Sequence, residues 1–441
     1  MKLLSFLFET FFFRFIALFA SPLNAAASIG VELEKVRSSV WPQFQQDDTF
    51  YALVPDRTDE LDVSDRLARI PILVSPGSQF SQIDPDGQSM GVGAGEEYQD
   101  GVTTPVYFVQ ACQVTKRAEW TTDSKEKSVV DVFKDSFKFN LRQFRSNVEA
   151  LMSSSDGSGT LGTVVSSATA GQLTVTNANN FQAKNTYQVW SALGGTLRGT
   201  ITVLTVDSVN NILYLTANAP AGTTANDLLL IQGVSGSANT SLNGIPAINL
   251  SSSTGQWFGI PRASYPGVLS TPYYAAGTNP LTPQIVMLLE SLMQRATGIE
   301  TEDVDEILVH GNVDQRTQWE TLGIATTSGV ATVFVQNEGG AQRKDVLAKR
   351  SVQSVAGHKA VWNIHATPGR LDFLCLKYWG RVVSKPCALF DIDGITVFPL
   401  YGTDGGVATA QAFYYVHGLQ MFTSRARSGA YVDGLTKPTG F

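Results

Sequence analysis

The chain has 441 residues, of which 43% are hydrophobic and 16% charged, with a formal net charge of −7. That length can bury a large core and divide into two or three domains, while the low charged fraction and the many Gly, Ser, Thr and Asn residues point to turns and to β-surface that is polar without being charged. The acidic balance argues against a dedicated nucleic-acid binder, which needs clustered Lys and Arg to neutralise phosphates. Cys112, Cys375 and Cys387 cannot close a disulfide framework and lack C-x-x-C spacing, which fits a reducing compartment.

Residues 1–27 invite a leader reading: Lys2, an apolar run, then Ser21, Pro22 and Ala25, Ala26 and Ala27. Glu9 and Arg14 interrupt the run, so no stretch is long enough for a transmembrane helix. Leu4, Phe8, Phe11, Phe15, Ile16 and Phe19 recur instead at helical spacing and predict an amphipathic helix that needs a partner surface. Over residues 28–65 the pattern is mixed. Trp41-Pro42-Gln43-Phe44 is extended, because proline restrains the residue before it, and Asp47 and Asp48 precede Phe50-Tyr51-Ala52-Leu53-Val54. An arm lying across another surface fits this segment better than a core element.

Arg69-Ile70-Pro71-Ile72-Leu73-Val74 predicts a strand, with Pro105-Val106-Tyr107-Phe108-Val109 and Cys112-Gln113-Val114-Thr115 as its returning partner. Between them, residues 75–101 are rich in turn signals, among them Pro76-Gly77, Asp84-Pro85-Asp86-Gly87 and Gly91-Val92-Gly93. A loop this long without a core of its own is usually functional or intermolecular. Gly91-x-Gly93 lacks the βαβ setting of a dinucleotide loop, and Asp84 with Asp86 lacks the in-register Glu of a calcium loop, which leaves plain turns.

Residues 125–152 predict a long helix. Val130, Phe133, Phe137, Leu141, Phe144, Val148 and Leu151 fall three and four apart and share one face. Asp123 and Glu126 form a capping box at its start, and Ser153, Ser154, Ser155, Asp156 and Gly157 stop it. Lys134, Lys138, Arg142 and Arg145 give the opposite, solvated face. At 1.5 Å per residue the rod is about 40 Å long, a beam crossing a whole domain.

The composition then shifts. Lys184, Arg198, Asp207 and Asp227 are the only charges in residues 157–234, and apolar residues alternate in Leu173-Thr174-Val175-Thr176, Ile201-Thr202-Val203-Leu204-Thr205-Val206 and Ile212-Leu213-Tyr214-Leu215. Period-two runs separated by Asn, Gly and Ser clusters predict an antiparallel β-module, with Asn210-Asn211 as a hairpin turn, and its character marks it as an insertion. From Leu242 mixed structure returns. A helix opens at Pro280-Leu281-Thr282-Pro283 with Ile285, Leu288, Leu289 and Leu292 on one face; Ile307-Leu308-Val309 is a buried strand; Asp314 starts a second helix. Val361-Trp362, residues 371–378 and 394–400, Ala412-Phe413-Tyr414-Tyr415-Val416 and Gly418-Leu419-Gln420-Met421-Phe422 supply more sheet. Strands and helices do not alternate regularly, so the fold class is α+β.

Chemistry has little to stand on. His310, His358, His365 and His417 are the only histidines, and no H-E-x-x-H, G-x-S-x-G or Walker loop occurs. His310 with Asp314 reads as a histidine packing at a turn, and Asp391-Ile392-Asp393-Gly394 as turn chemistry. No catalytic residue, cofactor or metal is expected.

Several stretches together resemble the tailed-phage major capsid proteins of the Hong Kong 97 fold: Arg69-Ile70-Pro71 into Ser75-Pro76-Gly77-Ser78-Gln79-Phe80, then Asp84-Pro85-Asp86-Gly87 and Gly91-x-Gly93, Glu119-Trp120-Thr121-Thr122, Phe144-Arg145-Ser146-Asn147 and the block 394–434. The resemblance covers nearly the whole chain and rests on order and context, since the family has no short catalytic signature. It implies an N-terminal arm over 1–65 touching neighbours through Phe11, Phe15, Trp41 and Phe44; an extended hairpin loop over 66–121 with intersubunit contacts at Phe80, Asp84, Asp86, Gly87, Gly91 and Gly93; and a spine helix within 122–156 whose core face is Phe133, Phe137, Leu141, Phe144 and Val148. An inserted β-domain at 157–235 and axial plus remaining peripheral structure at 236–441 complete it. The implied function is non-catalytic self-assembly, through hexamers and pentamers, into an icosahedral shell around double-stranded DNA contacted non-specifically. The implied location is the virion, after assembly in the host cytoplasm without a membrane, and the implied partners are scaffolding, portal and decoration proteins. The extension before the arm is too short for a built-in scaffolding segment, and no lysine and asparagine pair can be assigned to a covalent cross-link. A surface or exported β-rich adhesin and an encapsulin-like cellular compartment are the competing readings.

Overall fold

The computed structural model describes residues 49–64, 67–78, 80, 93–115, 128–169, 171–237, 240–251, 254–297, 307–327, 354–355, 358–401 and 407–437, all within one unit of the chain, Gln46–Phe441. The expected amphipathic helix of residues 1–27, the arm residues Phe11, Phe15, Trp41 and Phe44, and the capping box at Asp123 and Glu126 lie outside the described residues.

The first described element is a short helix, α1 (Thr49–Leu53). Phe50 and Val54 are fully buried, and the Phe50 ring packs 4.7 Å from that of His310. This corrects the expectation that residues 50–54 merely lie across a surface: two apolar side chains spaced one helical turn apart enter the core.

Strands β1 (Asp62–Ser64), β2 (Leu67–Ser75) and β3 (Glu97–Thr103) form a three-stranded antiparallel sheet. The next strand, β4 (Val106–Thr115), was the expected partner of residues 69–74, and the structure corrects this: β2 pairs with β3, from Ala68↔Thr103 to Ser75↔Glu97. The sequence of β3, Glu97-Tyr98-Gln99-Asp100-Gly101-Val102-Thr103, is polar enough to read as loop, and Pro105 ends it because proline donates nothing to a ladder.

After β4 comes the long helix α2 (Ser128–Ser154). Its stop is as the serine cluster predicts. Ser154 Oγ donates back to Ala150 O at 2.6 Å, Ser155 Oγ donates to Leu242 O at 2.8 Å, and Gly157 takes the left-handed conformation at φ 91°. Phe144, Val148 and Leu151 are buried and Leu141 half-buried; Phe133 and Phe137 fall where the backbone alone is described. Of the face expected to be solvated, Arg142 is exposed and Arg145 half-buried, and Lys134 and Lys138 fall where the backbone alone is described. Gln143, Ser146, Glu149 and Ser153 are buried as well, so the last three turns are enclosed on almost every side.

Strands β5 (Thr160–Thr169), β6 (Gln172–Val175), β7 (Thr186–Trp190), β8 (Leu197–Asp207), β9 (Ile212–Leu215) and β10 (Leu228–Ile231) close into a barrel in the order β10-β5-β6-β9-β8-β7. Every pairing is antiparallel and β10 joins both β5 and β7, so no strand edge is left open. Period-two alternation puts Leu173, Val175, Tyr187, Val189, Ile201, Val203, Leu213 and Leu215 inside. Asn211 carries the positive φ that a tight turn between β8 and β9 requires. The chain enters and leaves this module at neighbouring points, since Asp156 bridges Asn243.

Beyond it lie α3 (Ile245–Ile248), the two-residue pair β11 (Gln256–Trp257) and β12 (Ile260–Pro261), α4 (Pro266–Leu269), β13 (Tyr273–Ala275), α5 (Pro283–Thr297), β14 (Ile307–Gly311), α6 (Val313–Thr327), β15 (Ser354–Val355), β16 (His358–Trp362), β17 (Leu371–Cys375), β18 (Trp379–Leu389), β19 (Phe398–Tyr401), β20 (Val407–Thr423) and β21 (Gly429–Asp433). Six of these strands form a mixed sheet, β13-β21-β17-β14-β16-β15. Its central strands β14 and β17 are buried along their whole length. Leu308 and Leu374 join the core shared with α2 and the barrel, whereas Ile307, Val309 and Phe373 join a second core under α5. Of the expected α5 face, Ile285 and Leu289 are buried and Leu292 is half-buried, but Leu288 is exposed and Val286 and Met293 are buried instead.

A four-stranded sheet lies over α2, with β20 between β4 on one side and β18 and β19 on the other. The two tail strands expected around Gly418 are one seventeen-residue strand. Gly418 is no break: a Cβ there would fall 2.7 Å from Tyr107 Cε1, so glycine makes room for a ring. Residues 394–397, expected as strand, form a turn instead. Asp393 and Gly394 have positive φ and Gly394 N–H donates to Asp391 Oδ1 at 2.7 Å, so this Asp pair is turn chemistry.

Candidate assembly surface

Burial along β2 of the β2–β3 hairpin alternates between its two faces. Ala68 and Ile70 at its root are buried, Val102 N–H donates to Phe258 O at 2.7 Å, and Gly101 lies so close to Trp257 and Phe258 that a Cβ would stand 3.2 Å from each. Past Pro71, Leu73 is 49% and Tyr98 61% exposed, on paired positions. Phe80 is fully exposed and Gly93 is exposed; Asp84, Asp86, Gly87 and Gly91 lie outside the described residues. One face of β2 packs against the core as far as the half-buried Ile72, while the other is left open at Leu73, and an uncovered apolar face is a surface awaiting contact.

Beneath this surface, the chain is tied together by a buried polar node that the sequence reading missed. Glu149 is wholly buried. Its carboxylate accepts from Phe50 N–H at 3.0 Å and Tyr51 N–H at 3.1 Å and from the Asn363 side-chain amide, so a glutamate of α2 supplies the acceptors that the first turn of α1 lacks. Ser146 Oγ lies 3.0 Å from His365 Nε2, and His365 Nδ1 lies 3.1 Å from Asn180 Oδ1 at the foot of the barrel. Helix, barrel and the turn after β16 thus meet on one histidine.

All four histidines are buried. His310 lies 3.4 Å from Ser153 Oγ, while Asp314 donates its N–H to Asn312 Oδ1 at 3.1 Å to begin α6. His358 meets Glu290 at 2.7 Å. His417 lies 2.9 Å from the Tyr51 hydroxyl and 2.8 Å from Lys385 O, and burial lowers its pKa, with Arg381 and Arg145 adding to the effect. Each is a packed, partnered group. Cys112 and Cys375 are buried, and burial pushes the Cys112 thiol up to about 11, which leaves it a small apolar filler. No group of His, Cys, Asp or Glu among the described residues could hold a metal, and none of their helices is long and apolar enough to cross a membrane.

No protein-family model matches the chain, and no curated protein matches it. Among solved structures it is similar to the cyanophage A-1(L) capsid asymmetric unit, with a TM-score of 0.52 at 11% identity over 90% of this chain and 96% of that one. The capsid of an empty GTA particle gives 0.45 at 7% identity, over 90% and 99% of the two chains, and Mycobacterium phage Che8 gives 0.45 at 8%, over 90% and 94%. The fold is that of a phage capsid subunit, α+β and of the Hong Kong 97 type, as the resemblance in the sequence implied.

Proposed function

We propose that the chain is a major capsid protein that self-assembles, through hexamers and pentamers, into an icosahedral shell around double-stranded DNA. The observation that carries this reading is the β2–β3 hairpin, which leaves Leu73, Tyr98 and Phe80 uncovered, in a fold similar over 90% of the chain to a capsid subunit. A strand that cannot satisfy itself within one copy is satisfied by the next, and repetition over a shell multiplies modest contacts.

On this reading residues 66–121 are the extended loop, with Phe80, Asp84, Asp86, Gly87, Gly91 and Gly93 against a neighbouring subunit, and residues 1–65 are an arm that docks Phe11, Phe15, Trp41 and Phe44 in the same way. The helix α2 is the spine, the barrel is an inserted domain, and the two large sheets belong to the axial and peripheral parts. The role is structural, the place is the virion, and scaffolding and portal proteins are the expected helpers in the host cytoplasm. Negative-stain microscopy of the purified chain tests the reading: uniform closed shells are expected, and a monodisperse subunit that never assembles counts against it. Double-stranded DNA inside shells recovered from infected cells separates a virus from a cellular compartment.

A further inference from the structure

Beside the Glu149 node, α1, α2, β18 and β20 border a cleft of about 310 Å³ lined by Tyr51, Asp56, Arg145, Arg381, Cys387 and His417 among others. Two guanidinium groups share it. Arg381 lies 4.4 Å over the Tyr51 ring and donates Nη1 to Tyr51 O at 2.8 Å. Arg145 reaches the Cys387 sulfur. Neither Nε has a hydrogen-bond partner. The one carboxylate of the cleft is engaged through one oxygen, since Asp56 Oδ1 accepts from Thr58 N–H at 3.1 Å and from the Thr58 hydroxyl at 2.6 Å.

A planar fork of donors is built to grip a carboxylate or phosphate through two parallel bonds, and two like charges in a half-buried cleft repel less when an anion stands between them. We propose that this cleft binds an oxyanion between Arg145 and Arg381, and that in the shell the oxyanion is a carboxylate side chain of a second copy of this chain. Burial lowers the pKa of His417 in the same cleft, and both arginines act in that direction while the Lys385 carbonyl and Asp56 oppose them. The choice of source follows from charge. The chain carries 39 acidic side chains against 32 basic ones, so a neighbouring copy presents carboxylates in excess, and β18 shifts register between Val383 and Lys385 and again before Ala388, which opens this edge of the sheet. The source rests on the shell reading; the oxyanion site does not.

Inorganic phosphate titrated into the unassembled full chain tests the cleft itself. A saturable rise in melting temperature is expected, with chloride at matched ionic strength inert, and Arg145→Gln should weaken the response at least tenfold while Arg145→Lys retains most of it. No response, or an equal one in Arg145→Gln, overturns the site. Assembly tests the source. With near-ultraviolet circular dichroism unchanged, Arg145→Gln should lower particle yield about tenfold, Arg145→Lys should restore it, and phosphate should inhibit assembly of the parent chain. Normal particle yield from Arg145→Gln overturns the second-copy carboxylate and points to the phosphate of packaged nucleic acid. A parent chain that binds phosphate yet forms no particles sinks the shell reading and leaves the oxyanion site standing.

Discussion

Glu149 sits between Val148 and Ala150 on α2, and its two carboxylate oxygens take the N–H groups of Phe50 and Tyr51. Glu149→Gln turns one acceptor into a donor facing backbone N–H, so a bond is lost and a buried donor is left opposed; a loss of about 2–3 kcal/mol is expected, read as a shift of the urea midpoint. A variant as stable as the parent would show that the node is idle. His417 makes a pH-dependent contribution whose sign is fixed by its environment. Burial lowers its pKa in the folded chain, so the unfolded chain binds the proton first, and the contribution of the neutral ring is whole above about pH 6.5 and is lost as the pH falls through the folded value. His417→Gln keeps a polar partner beside the Tyr51 hydroxyl without titrating, so its melting temperature should decline less steeply from pH 7 to 5 than that of the parent. Parallel declines would remove His417 from the account.

At the scale of elements, β2 divides by face into one that packs on the subunit and one that does not. Ile70→Ala empties a buried position and should cost about 2–5 kcal/mol, whereas Leu73→Ser, three residues along the same strand and 49% exposed, should move the stability of the unassembled chain by no more than about 0.5 kcal/mol and yet reduce shell yield. A Leu73→Ser chain that assembles normally would deny the exposed face of β2 its intersubunit role. The same contrast explains what could be read in the sequence. The apolar stripe of α2 from Leu141 to Leu151, its serine stop and the alternation inside the barrel are local patterns with one physical meaning each, and they appear where periodicity places them. The partner of β4 does not follow from any local pattern, because Val106 pairs with Leu419 and a run such as 69–74 would have suited the same alternation. Glu149 lay hidden for the same reason: on a helix it reads as one more solvated carboxylate, and its partners stand 99 and 214 residues away. Arg145, taken for part of a solvated face, is half-buried at a cleft that only the folded arrangement of α1, β18 and β20 creates.

At the scale of the whole molecule, two β-modules treat their edges in opposite ways. The barrel is closed, with every strand paired on both sides. Among the described residues β4 is paired with β20 alone, and its outward side chains include Tyr107 and Val109, 57% and 62% exposed. The backbone donors and acceptors of alternate residues along this edge, beside an apolar face, form a template for any extended segment that meets them. Chains held at high concentration before partners arrive should therefore precipitate through this edge, and a charged gatekeeper should suppress the loss: Val109→Lys is expected to raise the soluble yield of the unassembled chain, measured as light scattering over time, without lowering its melting temperature. Scattering curves that superimpose would clear β4 of that hazard. The strand that makes ten pairs with β20 on one side is thus also where overproduction of the chain is exposed to amorphous aggregation.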